Sequence, residues 1–494
     1  SVTHDGVTVA EAVDLPETEE TLGEKVGAEL IKQAAKKMNK AAGDGTTTVT
    51  VLTYEILANA NRLIAAGHNP MELRRGVEKA GAEVLSELNK LAEPITDKKD
   101  RVAEVATISA GDSEIGTLIA EVIAKIGSEG VVSVEEGQGL AMEAEVVEGF
   151  TFDRGYVSAY MATDTTRMEA AYNKPAIVIT DKKVSSVQEF LPILEKLAAA
   201  GKKDVVLIAD EVEGEALGVL ILNRLKGVFN TVAVKAPSFG DRRKDVLADI
   251  AALTGATVIT DDQGLSFENV GLEVVGTARK VIVGKDSTTI IEGAGDKKAI
   301  AERVAQIRAQ AKVAPSDYDR EQLDKRAASL GGKVAVIKVG GATETEIEEK
   351  KYRVDDAVAA VKAALLDGIV PGGGITPVTL AASIKGTEAG AEILRSALMA
   401  PFKQLMSNAG LNAEALLAQV QNAKAGQGVD VNHPDKDLVD LKSAGVVDPA
   451  RVTREAIQNA VSIASTAMTM GALVVEIPEP KAPAAPDMGS MGMM

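Results

Sequence analysis

The chain has 494 residues, 46% hydrophobic and 26% charged, with a net charge of −18; at roughly 150 residues per domain this is a globular protein of two to four domains. The acidity argues against a nucleic-acid partner, which would call for clustered Lys and Arg, and the lack of Cys excludes disulfides, iron–sulfur clusters and thiol nucleophiles. His4, His68 and His433 are too scattered to suggest a zinc site, and with no apolar run of ~18 residues and no opening signal peptide a cytoplasmic protein without membrane association is expected.

Residue 1 is Ser, so the chain is expected to begin inside a longer gene product. An Asp5-Gly6 pair between Ser1-Val2-Thr3 and Val7-Thr8-Val9 predicts a β-hairpin at the start. From about residue 11 to 90 the pattern is helical. Leu22, Val26, Leu30, Ala34 and Met38 recur every fourth residue, and so do Val49, Leu52, Ile56, Ala60 and Leu63. Between these stripes lies Gly43-Asp44-Gly45-Thr46-Thr47-Thr48, a tight loop that opens a helix. Its glycines permit close backbone approach, the first N–H groups of the second helix point outward, and three hydroxyls stand beside them: an anion cradle. Asp44 adds a carboxylate where a phosphate-bound magnesium ion would need an oxygen ligand. The plainer reading, a Gly C-cap followed by a Thr N-cap, explains Gly43 and one Thr but not Asp44 and the other two. Short Gly/Thr loops are common, and chemistry alone leaves both readings open.

Pro94 and the polar run Thr96-Asp97-Lys98-Lys99-Asp100 predict a boundary. Residues 101–130 read as two helices, with Ile115, Ile119, Val122 and Ile126 on one face. Past Gly149 the texture changes. From 150 to about 340, short apolar runs (Ala176 to Thr180, Val205 to Ala209, Thr231 to Val234, Thr257 to Thr260) alternate with helical stretches, the signature of parallel βαβ units. Two of these helices are over-hydrophobic. Ala216, Leu217, Val219, Leu220, Ile221, Leu222 and Leu225 surround one of them, and Phe190, Leu191, Ile193, Leu194 and Leu197 crowd the other. Either both are sandwiched in a core or they share an exposed apolar surface.

A strand from Val334 to Val339, flanked by Gly331-Gly332 and Gly340-Gly341, leads into a charged helix from Thr345 to Leu366. Its apolar stripe is Val354, Val358, Val361 and Leu365. Asp356 lies about 200° from Val354, away from that stripe; such a residue matters only if another domain faces it. Pro371-Gly372-Gly373-Gly374 opens a further helix, and Asp448-Pro449 caps a last long one with Ala456, Ala460, Ile463 and Ala467 inward. Residues 478–494 carry no periodic core and are expected to be disordered.

In order along the chain, Ala42-Gly43-Asp44-Gly45-Thr46-Thr47-Thr48, Phe152-Asp153-Arg154-Gly155-Tyr156, Lys235-Ala236-Pro237, Phe239-Gly240-Asp241-Arg242-Arg243-Lys244, Ser316-Asp317-Tyr318-Asp319-Arg320, Gly372-Gly373-Gly374 and a Gly/Met tail closely resemble the group I chaperonin family, the 60-kDa chaperonins of the GroEL type. The resemblance covers essentially the whole chain, lacking only the forty to fifty residues that usually precede the hairpin in the family. It implies a multidomain α/β fold: a mainly helical equatorial ATP-binding domain (1–90 and 368–494), a small α/β intermediate domain (91–148 and 341–367) and an α/β apical domain (149–340). Pro94 and Gly368 would form the lower hinge, Gly149 and Gly340 the upper.

The resemblance also implies an ATPase that uses ATP and Mg2+, with K+ as a further candidate ion. Asp44 resembles the family's metal ligand, Gly45, Thr46, Thr47 and Thr48 its phosphate loop, Gly373 its nucleotide-contacting glycine and Asp448 its ribose-binding carboxylate. Asn432 matches a base-contacting residue, with His433 and Pro434 replacing small neighbours, and His4 stands where a phosphate-binding lysine is common. Asp356 and Asp5 are similar to the two acids that set up the attacking water. An apical strip of Tyr156, Tyr160, Met161, Leu191, Leu194, Leu217, Ile221 and Leu222 would hold non-native polypeptides and a small GroES-like lid co-chaperonin. The expected assembly is a homo-oligomer of two stacked heptameric rings. The rival expectation is a truncated paralogue that binds polypeptides without hydrolysing ATP.

Overall fold

The computed structural model describes residues 6–16, 21–96, 98–128, 130–137, 139–165, 167–314, 316–434, 437–472 and 474. His4, Asp5, the first strand of the expected hairpin and the 478–494 tail lie outside them. The chain divides into two compact units, one of Ser1–Ala124, Glu136–Met142 and Val339–Met494, the other of Lys125–Glu135 and Glu143–Lys338.

The first unit is built on helices. Leu22–Ala42, Thr46–Ala65, Pro70–Leu91 and Ala450–Ala467 pack together around an aliphatic core. The reason is readable in the spacing: Val49, Leu52, Ile56 and Ala60 are all buried, as are Leu73, Val77, Ala80, Val84 and Leu88, so each helix turns one stripe inward. Asn69 caps the third helix by accepting from the Met71 N–H, and Pro70 fills the first turn, where no N–H partner is needed. Close approach depends on small residues. A Cβ at Gly76 would lie 2.8 Å from the Cα of Gly390, in the first turn of the helix Ala389–Ala397 packed on Pro70–Leu91. A second helical pair, Lys99–Ala110 with Glu344–Asp367, buries Val102, Val105, Val354, Ala357, Val358 and Val361.

Val7-Thr8-Val9, expected as a strand of the opening hairpin, instead belongs to a helix, Gly6–Ala12. The β-branched residues favour a strand locally, but the helix packs on Leu22–Ala42 and places Val7 in a buried site, and that burial outweighs local preference.

The second unit is α/β. Its sheet runs in the order Val131–Glu136, Lys333–Val339, Glu143–Phe152, Thr288–Gly293, Gly276–Val283, Ala176–Ile179, Asp204–Ala209, Asn230–Lys235. The last three strands are parallel, with Ile177 opposite Val206 and Val206 opposite Val232. They are the expected βαβ part, and their side chains are almost all buried because helices cover both faces. Glu143–Phe152 pairs antiparallel with Lys333–Val339 and Thr288–Gly293, and Gly276–Val283 pairs antiparallel with Thr288–Gly293 and Ala176–Ile179, so the sheet is mixed. The run from Thr257 to Thr260 contributes only a single parallel bridge, Thr180 to Ile259, rather than a strand.

Beneath the helices Asp241–Thr254, Lys297–Lys312 and Asp317–Leu330 lies a carboxylate with no exposure. Asp249 accepts from Arg303 Nε at 2.8 Å and is also gripped by Arg326, which reaches Asp245 as well. The pairing makes the burial of that charge tolerable and ties the three helices to one another.

Candidate functional site

The helix Leu22–Ala42 stops because Gly43 takes the left-handed conformation at φ 68° and returns its N–H to Asn39 O. Gly45, also left-handed at φ 78°, reverses the chain into Thr46–Ala65. Neither glycine could be replaced without displacement: a Cβ on Gly43 would sit 2.4 Å from that of Ala359, and one on Gly45 would meet Val452 at 2.7 Å and Met38 at 2.9 Å. The sharp bend leaves Asp44 accepting from the Gly45 N–H at 2.6 Å. Thr46 is buried, Thr48 half-buried and Thr47 exposed. Gly6 presses on this loop from the other side, since its Cβ would be 2.5 Å from Thr47 Oγ1 and 2.6 Å from Thr46 Oγ1. The segment after Asp5 therefore runs onto the threonines.

Asp448 arrives from the far end of the chain. The strand Ile369–Pro371 pairs antiparallel with Val447–Pro449, with Val370 opposite Asp448. The turn Gly372-Gly373-Gly374 follows at once, two of its glycines at positive φ, and Asp448 Oδ1 lies 3.0 Å from where a Gly372 Cβ would be. The helix Ala450–Ala467 starts there, and its Val452 is the residue packed on Gly45. So Asp44, Gly45 to Thr48, the glycine turn and Asp448 form one recess.

Its electrostatics are those of an anion-and-cation site with only acids in place. Burial, reinforced by the charge of Asp44, pushes the Asp448 carboxyl up to about 7. Asp44 is raised too, by burial first, against the Gly45 N–H and the nearby Ser109 hydroxyl. Ser109 Oγ is itself buried. Among the described residues no three carboxylate, imidazole or thiol groups converge. Magnesium needs no such trio, because one or two carboxylates with phosphate and water oxygens complete its octahedron. Two repelling acids, a buried hydroxyl beside one of them and a run of helix-start N–H groups thus fit a metal–nucleotide pair.

Asp356 sits on Glu344–Asp367, whose Ala359 touches Gly43. Three residues separate them on the helix, so Asp356 lies about 4.5 Å along the axis and about 60° round from the contact. It is half-buried. Asn432, His433 and Pro434, by contrast, occupy an exposed turn held by Asp430, which accepts from the Asn432 N–H at 3.0 Å and lies 2.8 Å from His433 Nδ1. Ser109 and Ala359 were not singled out from the sequence. Each is an ordinary small residue on its helix, and only the packing of Lys99–Ala110 and Glu344–Asp367 by the loop gives them a part.

The expected hinge residues are placed as follows. Gly368 ends Glu344–Asp367, and its neighbour Ile369 exchanges two 2.9 Å hydrogen bonds with Glu93, beside Pro94. Gly149 donates to Gly332 O at 3.1 Å in the second unit, whereas Gly340 lies against the 139–141 backbone in the first.

The expected polypeptide strip splits in two. Tyr160, Leu191 and Leu222 are 70%, 42% and 50% exposed, and Tyr156, Leu217 and Ile221 are partly covered. Met161 and Leu194 do not belong with them. They are 0% and 4% exposed, packed in the core of the sheet, because Met161 tucks under Ala233 and Leu194 turns inward with Phe190, Ile193 and Leu197. Leu225 and Val228, at 64% and 51%, extend the outer face instead. Arg224 anchors this region by donating to Tyr160 O at 2.6 Å and to Ala162 O.

A multidomain α/β protein with a glycine–threonine loop opening a helix in its helical part is the class these features define. A family model matches residues 1–478, and the chain belongs to the TCP-1/cpn60 chaperonin family. Its role is that of a chaperone in protein folding. Members of the family are ATPase chaperonins that bind ATP with Mg2+, take polypeptide substrates and assemble as rings. Among the described residues no helix is long and apolar enough to cross a membrane.

Proposed function

We propose that this protein is an ATP-hydrolysing chaperonin that captures non-native polypeptides on the outer face of its α/β unit and releases them to fold in a ring cavity closed by a small co-chaperonin. The observation that carries the reading is the contact of Ala359 with Gly43, which brings the Asp356 helix onto the phosphate loop.

In this reading Asp44 would hold Mg2+, the Gly45–Thr48 N–H and hydroxyl groups would bind the phosphates, and Gly373 and Asp448 would receive the sugar. Bound Mg2+ supplies Lewis-acid stabilisation of the phosphate charge. The loop amides are pre-aimed at charge that grows during transfer and reorganise little as it does. Asp356 accepts a proton from, and orients, the attacking water, assisted by Asp5. The finer division into equatorial, intermediate and apical parts goes with this reading. Its lower pivot is at Pro94 and Gly368 and its upper pivot at Gly149 and Gly340, the latter beside the boundary at 338/339 between the two units.

Asp356→Ala should leave ATP binding nearly intact and slow hydrolysis at least about tenfold, the loss expected when a water-orienting group is removed. Equal turnover of variant and parent, measured by phosphate release, would overturn the assignment.

A further inference from the structure

The α/β unit contains a cavity of about 700 Å³ lined by none of the strip residues. That volume falls within the range of small-molecule sites. Its floor is apolar, formed by Leu253, Ile300, Val304 and Leu330. Its rim is cationic: Lys297, Arg308, Lys312 and Lys333 contribute four positive charges against the single carboxylate of Glu148. Lys297 and Glu148 pair with each other at 3.2 Å. Among the described residues Arg308, Lys312 and Lys333 have no ion pair. In a chain of net charge −18, three uncompensated cations around one opening form a local field that attracts anions.

Charge and greasiness are arranged in line. Ile300, Val304, Arg308 and Lys312 follow at four-residue intervals on Lys297–Lys312 and share a face, apolar in its first half and cationic in its second. From Ile300 to Arg308 the helix rises about 12 Å, enough for an extended acyl chain of medium length. The facing wall is the backbone of Gly331–Gly332, where Lys333 begins its strand.

We propose that this cavity binds an amphiphilic carboxylate, an unbranched acyl chain lying against Leu253, Ile300, Val304 and Leu330 with its headgroup between Arg308, Lys312 and Lys333. The assignment does not depend on the ATPase reading. An apolar body alone would leave the rim without purpose, and an inorganic anion alone would leave the floor wet.

The test is calorimetric titration of the full chain with dodecanoate below its micellar concentration, beside dodecanol and inorganic phosphate. Dodecanoate should bind at least about tenfold tighter than either, because only it satisfies both halves of the site. Reversing two exposed rim charges, R308E with K333E, should weaken it by about tenfold or more without shifting the melting temperature. V304W should block the floor. L222S, on the outer strip, should leave binding unchanged, and a diazirine-bearing dodecanoate should label residues 297–312. Should dodecanol or phosphate bind as well as dodecanoate, should L222S abolish binding, or should the label fall on residues 187–225, the proposal is wrong.

Discussion

Asp448 carries the clearest consequence at the level of single residues. With its carboxyl pushed up to about 7 by burial and by Asp44, the folded chain keeps a proton that the unfolded chain releases near the ordinary 3.8. The fold binds more protons than the unfolded chain across that interval, so this group makes stability fall as pH rises from about 4 to about 7, with no further change above. Asp44, raised for the same leading reason, pulls in the same direction. Asp448→Asn should flatten that part of a melting-temperature profile recorded without nucleotide; an unaltered slope would mean that the acid does not titrate there. A cation on Asp44 would favour its charged form and offset the negative charge that raises Asp448, so magnesium–nucleotide binding at pH 7 should release protons, visible as a dependence of the calorimetric heat on buffer ionisation enthalpy. Gly43→Ala addresses the same recess sterically. It forces a left-handed Ala against Ala359, and destabilisation of at least about 1–2 kcal/mol is expected in chemical denaturation. The loop's glycines, threonines and Asp44 were legible in sequence because each is locally odd. Ser109 was not, being an unremarkable helix residue until Asp44 is folded against it.

At the level of elements, the over-hydrophobic helices separate two roles that composition blends. Val187–Ala199 and Gly214–Leu225 looked equally greasy, and the open question was core or surface. Both answers hold, residue by residue. Phe190, Ile193, Leu194, Leu197, Ala216 and Leu220 are core, and Leu191, Leu222 and Leu225 are outside. Leu222→Ser should therefore weaken capture of a denatured client, measured by suppression of its aggregation, while leaving the melting temperature almost unmoved. Leu194→Ser should do the reverse, costing about 2–5 kcal/mol of stability through a lost buried side chain and a hydroxyl placed in the core. If both variants lose client binding equally at full stability, the division is mistaken. The helices around Asp249 yield a companion expectation. Removing that carboxylate in Asp249→Ala strands Arg303 and Arg326 and should cost about 3–5 kcal/mol, read as faster hydrogen exchange in Asp241–Thr254, Lys297–Lys312 and Asp317–Leu330. The opening hairpin failed as an expectation for a related reason: a pattern of three β-branched residues says nothing of the buried site that turned Val7 into a helical residue.

For the molecule as a whole, the nesting of the chain follows from where its two ends meet. Strand Ile369–Pro371 lies beside Val447–Pro449, and helix Ala450–Ala467 packs on Thr46–Ala65 and Pro70–Leu91, so the two ends of the chain share one core and residues 125–135 and 143–338 form the unit inserted between them. Sequence periodicity marked the texture change at Gly149. It could not find the partner of that glycine, because two strand crossings separated by most of a domain become neighbours only through the sheet register that sets Lys333 opposite Glu148 and Val334 opposite Val147. If nucleotide chemistry in one unit is converted into exposure or concealment of the apolar face in the other, the four chain crossings at 124/125, 135/136, 142/143 and 338/339 should carry part of the change. The Gly149–Gly332 hydrogen bond lies a few residues inside the second unit from two of these crossings, and the Glu93–Ile369 pair lies within the first. Adding ATP and magnesium should then alter hydrogen exchange at residues 93–94, 149, 332 and 368–369 together. Gly149→Ala, whose Cβ would meet the Val334 side chain at 2.2 Å, should stiffen the strand pair beside the 142/143 and 338/339 crossings, leaving phosphate release within about twofold of the parent while slowing release of bound client several-fold. Normal client release in that variant, or exchange changes confined to the threonine loop, would place the coupling elsewhere.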